Sequence, residues 1–126
     1  MKRHQETALK HEGPPKRGEI WLVDFNPSIG SEIQDLHPAL IVSVDELNKS
    51  PWGLIVVCPI TTFRKNKPFR LHVPISPPEG GIRQNSIIRC DQVKSLSIQR
   101  FSERWGTVKA DTMENVAFIL KKVLGL

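Results

Sequence analysis

Apolar and polar positions break the chain into a series of short runs followed by one longer amphipathic segment. Residues 20–25 (Ile-Trp-Leu-Val-Asp-Phe) are β-branched and aromatic and are stopped by Asn26-Pro27, which predicts a strand and a turn. Residues 28–36, with Gly30 among them, read as a loop. Residues 39–44 are almost wholly apolar, the pattern of a strand buried on both faces, and Pro38 marks its start. Residues 45–48 predict a helical turn or short loop. Residues 54–58 repeat the buried-strand pattern, and Pro59 is expected to close that strand or place it at an edge. Residues 69–73 alternate apolar and polar, the mark of a half-exposed strand, and 74–81 follow as a Pro- and Gly-rich loop. Further short strands are predicted at 86–90, 93–98 and 106–108.

The amphipathic segment is a helix opened by Asp111, with Glu114 three residues on as in a capping box. Met113, Val116, Ala117, Leu120, Val123 and Leu124 fall on one face, a stripe suited to core packing. Lys121 and Lys122 sit in the last turn, where the helix dipole favours cations, and Gly125 supplies the stop. Short strands with one terminal helix predict a mainly β fold: a strongly bent sheet or small barrel closed by that helix. Residues 1–15 are polar and end in Gly13-Pro14-Pro15, so they read as a disordered tail before a single domain at 16–126.

Composition narrows the class. The formal charge is +5 and the pI about 9.5, compatible with a polyanionic partner. With no Tyr, 5 Phe and 3 Trp, a large stacking surface for single-stranded nucleic acid is not expected, so binding must rest on charge and hydrogen bonds. Cys58 and Cys90 lie in apolar runs and read as small buried side chains; no disulfide framework or zinc-ligand spacing can be built from them, and no metal site is expected. No apolar run is long enough for a membrane span, and the N-terminus lacks the hydrophobic region of a secretory signal, so a soluble cytoplasmic protein is the default.

Candidate chemistry stands in loops and at strand ends. His37 is held extended by Pro38 and is either a general acid or base or a satisfied structural histidine. Arg89 and Asp91 are two apart; on an unbroken strand they share a face, as a plain salt bridge or a pair converging on a ligand. Thr61 and Thr62 offer donors to a phosphate or cap a turn, and Glu32 is a loop acid. Arg64, Lys65 and Lys67 form a basic cluster that holds phosphates or is simply solvated. No phosphate loop, dinucleotide turn or nucleophile elbow is present. The residues alone lead to a basic β-rich domain open to nucleic acid.

Several segments, in order, resemble the MazF/PemK toxin family. They are Arg17-Gly18-Glu19-Ile20-Trp21-Leu22-Val23-Asp24-Phe25-Asn26-Pro27, then Gly30-Ser31-Glu32, then His37-Pro38-Ala39-Leu40-Ile41-Val42-Ser43. Cys58-Pro59-Ile60-Thr61-Thr62, Arg89-Cys90-Asp91-Gln92-Val93-Lys94-Ser95-Leu96 and Gly106-Thr107-Val108 with the terminal helix complete the set. The resemblance implies an SH3-like barrel of the CcdB/PemK type, a homodimer and a cognate antitoxin. It also implies metal- and cofactor-free cleavage of single-stranded RNA at short sequences. In that reaction the substrate's own 2′-hydroxyl attacks, leaving a 2′,3′-cyclic phosphate and a 5′-hydroxyl.

The chain departs from the family where His37 replaces the usual Arg before Pro38, and where Ser31 replaces the histidine of the PemK branch. Arg89 and Asp91 match that branch. The resemblance therefore implies Asp91 as base or 2′-hydroxyl anchor and Arg89 as phosphate stabiliser or acid. His37 follows as a second acid/base, Thr61 as a phosphate contact and Glu32 as a contact to substrate or to a catalytic neighbour. Arg64, Lys65, Lys67, Thr62 and Gln92 follow as RNA contacts. Two alternatives stand beside an active nuclease. One is a non-catalytic relative that still binds RNA or antitoxin. The other is a gyrase-poisoning toxin of the CcdB kind, disfavoured because no tryptophan follows Trp105.

Overall fold

A computed structural model describes residues 13–65 and 69–126. Strands β1 (Glu19–Asp24), β2 (Leu36–Ile41), β3 (Leu54–Thr62), β4 (His72–Ile75), β5 (Ser86–Arg89), β6 (Lys94–Ser97) and β7 (Phe101–Thr107) form one antiparallel sheet. A helical turn α1 (Asp45–Asn48) joins β2 to β3, and helix α2 (Ala110–Leu124) follows β7. The strand order is β4-β5-β3-β2-β1-β7, with β6 paired to β3 off this path. β4 and β7 are the outer strands, so the sheet does not close on itself, and the SH3-like architecture is present in an open form.

Both faces of the central strands are packed. Ile20, Leu40, Val42, Cys58, Ile60, Ile88 and Cys90 belong to a core on the helix side, where Val116, Met113, Leu120 and Val123 of α2 meet them. Trp21, Val23, Phe25, Ala39, Ile41, Ile55, Val57, Leu96 and Phe101 fill a second core on the other face. Successive side chains of a strand point to opposite faces, so two cores require the apolar runs 39–42 and 54–60; the strand expected at 39–44 is itself shifted to Leu36–Ile41, with Pro38 inside it rather than at its start. Cys58 and Cys90 are both free and fully buried. Glu19 is buried too, but its carboxylate accepts from the Lys16 amide (2.8 Å), the Trp21 indole (3.0 Å) and Arg104 (2.7 Å), which ties β1 to β7.

Several expected boundaries shift. β3 runs through Pro59 to Thr62 instead of closing at it. It pairs with β6 through Val57 and with β5 from Ile60, so on that edge residues 58 and 59 lie between ladders and a missing N–H is tolerated. The strand expected at 69–73 is displaced to His72–Ile75, and Pro74 inside it is accommodated because β4 is an outer strand. β7 spans Phe101–Thr107 rather than 106–108. The capping box of Asp111 and Glu114 does not form. Glu79 caps α2 instead, accepting from the Lys109 amide (3.0 Å) and the Thr112 hydroxyl (2.5 Å). Gly125 ends the helix in a left-handed conformation (φ 71°), as expected. Residues 1–12 of the expected tail and Lys67 lie outside the described residues.

Candidate active site

Strand register brings the polar candidates to one edge of the sheet. Ala39 faces Pro59 across β2 and β3, and the same antiparallel register carried outward sets His37 beside Thr61. Thr61 faces Ile87 on β5, and Arg89 at the end of β5 faces His72 at the start of β4. Thr61, Ile87, Arg89 and His72 therefore share the face opposite Ile60, Ile88 and Val73, which are core. A cleft of about 450 Å³ opens there, lined by His37, Thr61, Thr62, Arg64, His72 and Arg89 with Ile33 and Ile87.

β5 ends at Arg89, and Cys90–Gln92 form a 3-10 turn with Cys90 buried in the core. Arg89 and Asp91 thus do not share a strand face, contrary to the unbroken-strand expectation. The turn folds the carboxylate back onto the guanidinium instead. Arg89 Nε donates to Asp91 Oδ1 at 3.0 Å and Nη2 to Oδ2 at 2.8 Å, a two-pronged ion pair that fixes both side chains.

Sequence reasoning missed His72. Its Nε2 lies 3.1 Å from Asp91 Oδ1, its side chain is only 11% exposed, and its ring stands edge-on to Phe69. Both ring nitrogens are buried, and neither makes a well-aligned hydrogen bond. The alternation at 69–73 marks His72 as a polar-face residue, but nothing local says that this face borders a cleft.

Charge states follow from this packing. Burial alone raises the Asp91 carboxyl pKa, but the Arg89 hydrogen bonds and charge, with His72, outweigh it and hold it below the usual carboxylate range. Burial, with the Arg89 charge, holds His72 below the usual histidine value despite the opposing pull of Asp91. At neutral pH the site contains a carboxylate and a neutral imidazole. On the core side, the hydrogen bond with Cys90 and burial push the Cys58 thiol up, so it stays protonated.

The His72 shift has a measurable consequence. Below the unfolded histidine pKa of about 6.5 the unfolded chain takes up a proton that the folded chain refuses. Stability is therefore expected to fall with pH from that point until the folded-state pKa is reached. Asp91 acts only lower, as pH falls through its depressed pKa. Thermal melts across pH 5 to 7.5, roughly the window set by those values, should show this slope in the native chain and a shallower one in His72→Gln. Equal slopes contradict it.

The remaining candidates fall around the cleft. Asp91, Glu32 and Gln92 line an adjoining hollow of about 500 Å³ that shares Arg89 with it. Glu32 closes its own turn by accepting from the Ile29 amide at 2.7 Å. Gln92 accepts from the Ile33 amide at 2.8 Å and donates to the Ser31 carbonyl at 3.2 Å, so it ties the β1–β2 loop to the Arg89–Asp91 turn. Thr62 accepts from Gln84 at 3.0 Å. Lys65 is exposed beside Arg64 and does not line the cleft. Among the described residues no three His, Cys, Asp or Glu side chains gather to hold a metal ion, and no helix is long and apolar enough to cross a membrane.

Residues 16–124 match the model of a family described as PemK-like, MazF-like toxins of type II toxin–antitoxin systems. Endoribonuclease MazF9 of Mycobacterium tuberculosis is 33% identical over 116 residues, 88% of this chain and 97% of that protein. The crystal structure of MazF from Deinococcus radiodurans superposes with a TM-score of 0.79 at 26% identity, covering 90% of this chain and 98% of that one. A MazE–MazF complex from the same organism superposes at 0.69 and 26% identity, covering 89% and 97% of the respective chains.

Proposed function

The chain belongs to the PemK-like, MazF-like toxin family, and from that premise we propose that its cleft cleaves single-stranded RNA. It does so as the toxin of a type II toxin–antitoxin system, acting in the cytoplasm as a homodimer. The observation that carries the reading is the gathering of Arg89, Asp91, His72, His37 and Thr61 at one sheet edge. The relative named an endoribonuclease and the toxin–antitoxin complex support it from outside the site.

In this reading the residues take the following parts in an attack by the 2′-hydroxyl on the adjacent phosphate. Of the five N–H bonds of a guanidinium, Arg89 spends two on Asp91 and keeps three for the charge that develops on the phosphate. Asp91, held ionised, is suited to orient the 2′-hydroxyl rather than to strip its proton unaided. His72, with both ring nitrogens buried, positions that carboxylate and does not touch the substrate, so Asp91 takes the proton in concert with attack on the phosphate that Arg89 polarises. His37, beside Thr61 in the lining of the cleft, is the residue suited to give the leaving 5′-oxygen its proton. Thr61 and Arg64 hold the phosphate. An extended acidic segment of the antitoxin, laid over the same basic edge, would silence it.

The test is a long RNA of defined sequence incubated with the purified protein in EDTA. Cuts at a short recurring sequence, with 5′-hydroxyl ends that a kinase labels directly, are expected. Intact RNA across a wide pH range would remove the proposal and leave the RNA- or antitoxin-binding alternative.

A further inference from the structure

We propose that Lys94 holds the phosphate next to the scissile one on its 5′ side, and so seats the nucleotide that carries the attacking 2′-hydroxyl in the hollow beside Asp91. The inference rests on the nuclease reading above and extends the path of its substrate by one phosphate.

Strand register places Lys94 in line with Arg89. β5 and β6 both pair with β3, one after the other, with the turn Cys90–Gln92 between them. Ile88 faces Ile60, so the same register carried one residue on sets Arg89 beside Pro59, and Lys94 faces Val57. Pro59 and Val57 are two residues apart on one strand, which spaces the Arg89 and Lys94 rows by about 7 Å. Consecutive phosphates of an extended single strand are similarly spaced. The two side chains also share a face. Thr61, Pro59 and Val57 alternate with Ile60 and Cys58, which belong to the core on the helix side. Leu96, two residues after Lys94, lies with Val57 in the core of the other face, so Lys94 stands on the face where the cleft opens.

The hollow of about 500 Å³ is lined by Arg89, Asp91 and Lys94, with Ser31 and Glu32. Lys94 is half-buried there, and among the described residues no ion pair engages it. Glu32 accepts from the Ile29 amide at 2.7 Å instead. Asp91 sets the direction of the chain. With Arg89 at the scissile phosphate and Asp91 at the 2′-hydroxyl, the nucleotide bearing that hydroxyl lies on the Asp91 side, and its own 5′ phosphate comes to Lys94. Lys94 does not line the main cleft, so it does not compete for the scissile group. An ammonium is a point charge, and this contact positions the strand without reading a base.

Two measurements separate this inference from the reading beneath it. An oligonucleotide spanning a mapped cut site, with 2′-deoxy at the nucleotide 5′ of the break, binds without being cut at that bond. Replacing its next phosphodiester on the 5′ side with a neutral methylphosphonate should weaken binding to the native chain about tenfold. Lys94→Met should bind the unmodified strand about tenfold more weakly and lose less than about twofold more with the methylphosphonate. Lys94→Arg, which keeps the charge, should behave as the native chain does. Native binding indifferent to the methylphosphonate overturns the proposal while cleavage itself stands. So does a full tenfold loss repeated in Lys94→Met, since Lys94 would then act only through the charge of Asp91. The salt dependence of binding to a fluorescent 2′-deoxy hexamer needs no cutting. The slope of log affinity against log salt should be about 0.7 shallower in Lys94→Met, the share of one phosphate on a single strand. Equal slopes overturn the contact whether or not the protein cuts.

Discussion

Replacing Arg89 with alanine is expected to lower the single-turnover rate of RNA cleavage by roughly 10²–10³-fold, the usual cost of losing one preorganised donor to a developing charge. The loss should fall on the rate and not on RNA affinity, because other cations remain along the edge and the contact tightens only as charge builds up. Arg89→Lys should rescue little. It restores the charge but not the fork that grips both oxygens of Asp91 at 3.0 and 2.8 Å while leaving donors for the phosphate. The substitution also strands a half-buried carboxylate beside His72, a cost of about 1–3 kcal/mol, so the melting temperature must be read alongside. A rate within about threefold of native, in a folded variant, would mean that the phosphate is held elsewhere.

The largest effect on stability is expected from Gly81→Ala. Gly81 has φ +79°, and an added Cβ would lie 2.5 Å from the Trp105 carbonyl oxygen and 2.9 Å from its carbon. The clash is with backbone, which cannot rotate away, so the turn at 79–81 must lift from β7. A left-handed alanine costs about 1–2 kcal/mol and the overlap with the Trp105 backbone about 1–3 kcal/mol more. Together they amount to about 3 kcal/mol, or about 10 °C in melting temperature for a domain of this size. Gly125→Ala is the control: its φ is similar at +71° but a Cβ there meets nothing within 4 Å, so about 1 kcal/mol is expected. Melting curves of both variants decide it. A Gly81→Ala shift no larger than that of Gly125→Ala would contradict the close approach of turn and strand.

The sequence was most legible where one residue type answers one physical demand. The continuous apolar runs at 39–44 and 54–58 announce burial on both faces because two cores leave no side for polar residues. Gly125 announced the helix end because the left-handed stop favours glycine. The surroundings of Pro59 and Pro74 and the α2 cap are not legible locally because each depends on a distant partner. Pro59 is tolerated only where β3 exchanges β6 for β5, Pro74 only on an outer strand, and the cap comes from Glu79 in another loop.

The site divides in the same way. Arg89, Asp91, His37 and Thr61 are identified by resemblance; the register brings Arg89, His37 and Thr61 to one edge, and the turn after β5 folds Asp91 onto Arg89. The resemblance had left the PemK-branch histidine without a counterpart, since Ser31 stands at its position. The structure brings a histidine to Asp91 from β4 instead. His72 is invisible to spacing because it meets Asp91 through the pairing of β4 with β5, not along the chain. Gln92, expected among the RNA contacts, has both ends of its amide engaged in anchoring the β1–β2 loop.

The most direct test of the mechanism begins from one mapped cut site. An oligonucleotide spanning it is compared with the same sequence bearing a single 2′-deoxy substitution at the nucleotide 5′ of the break. Loss of cleavage at that bond, with binding retained and a 2′,3′-cyclic phosphate on the unsubstituted product, is the predicted result. Cleavage of the substituted bond would contradict the account, because the attacking oxygen would then have to come from elsewhere.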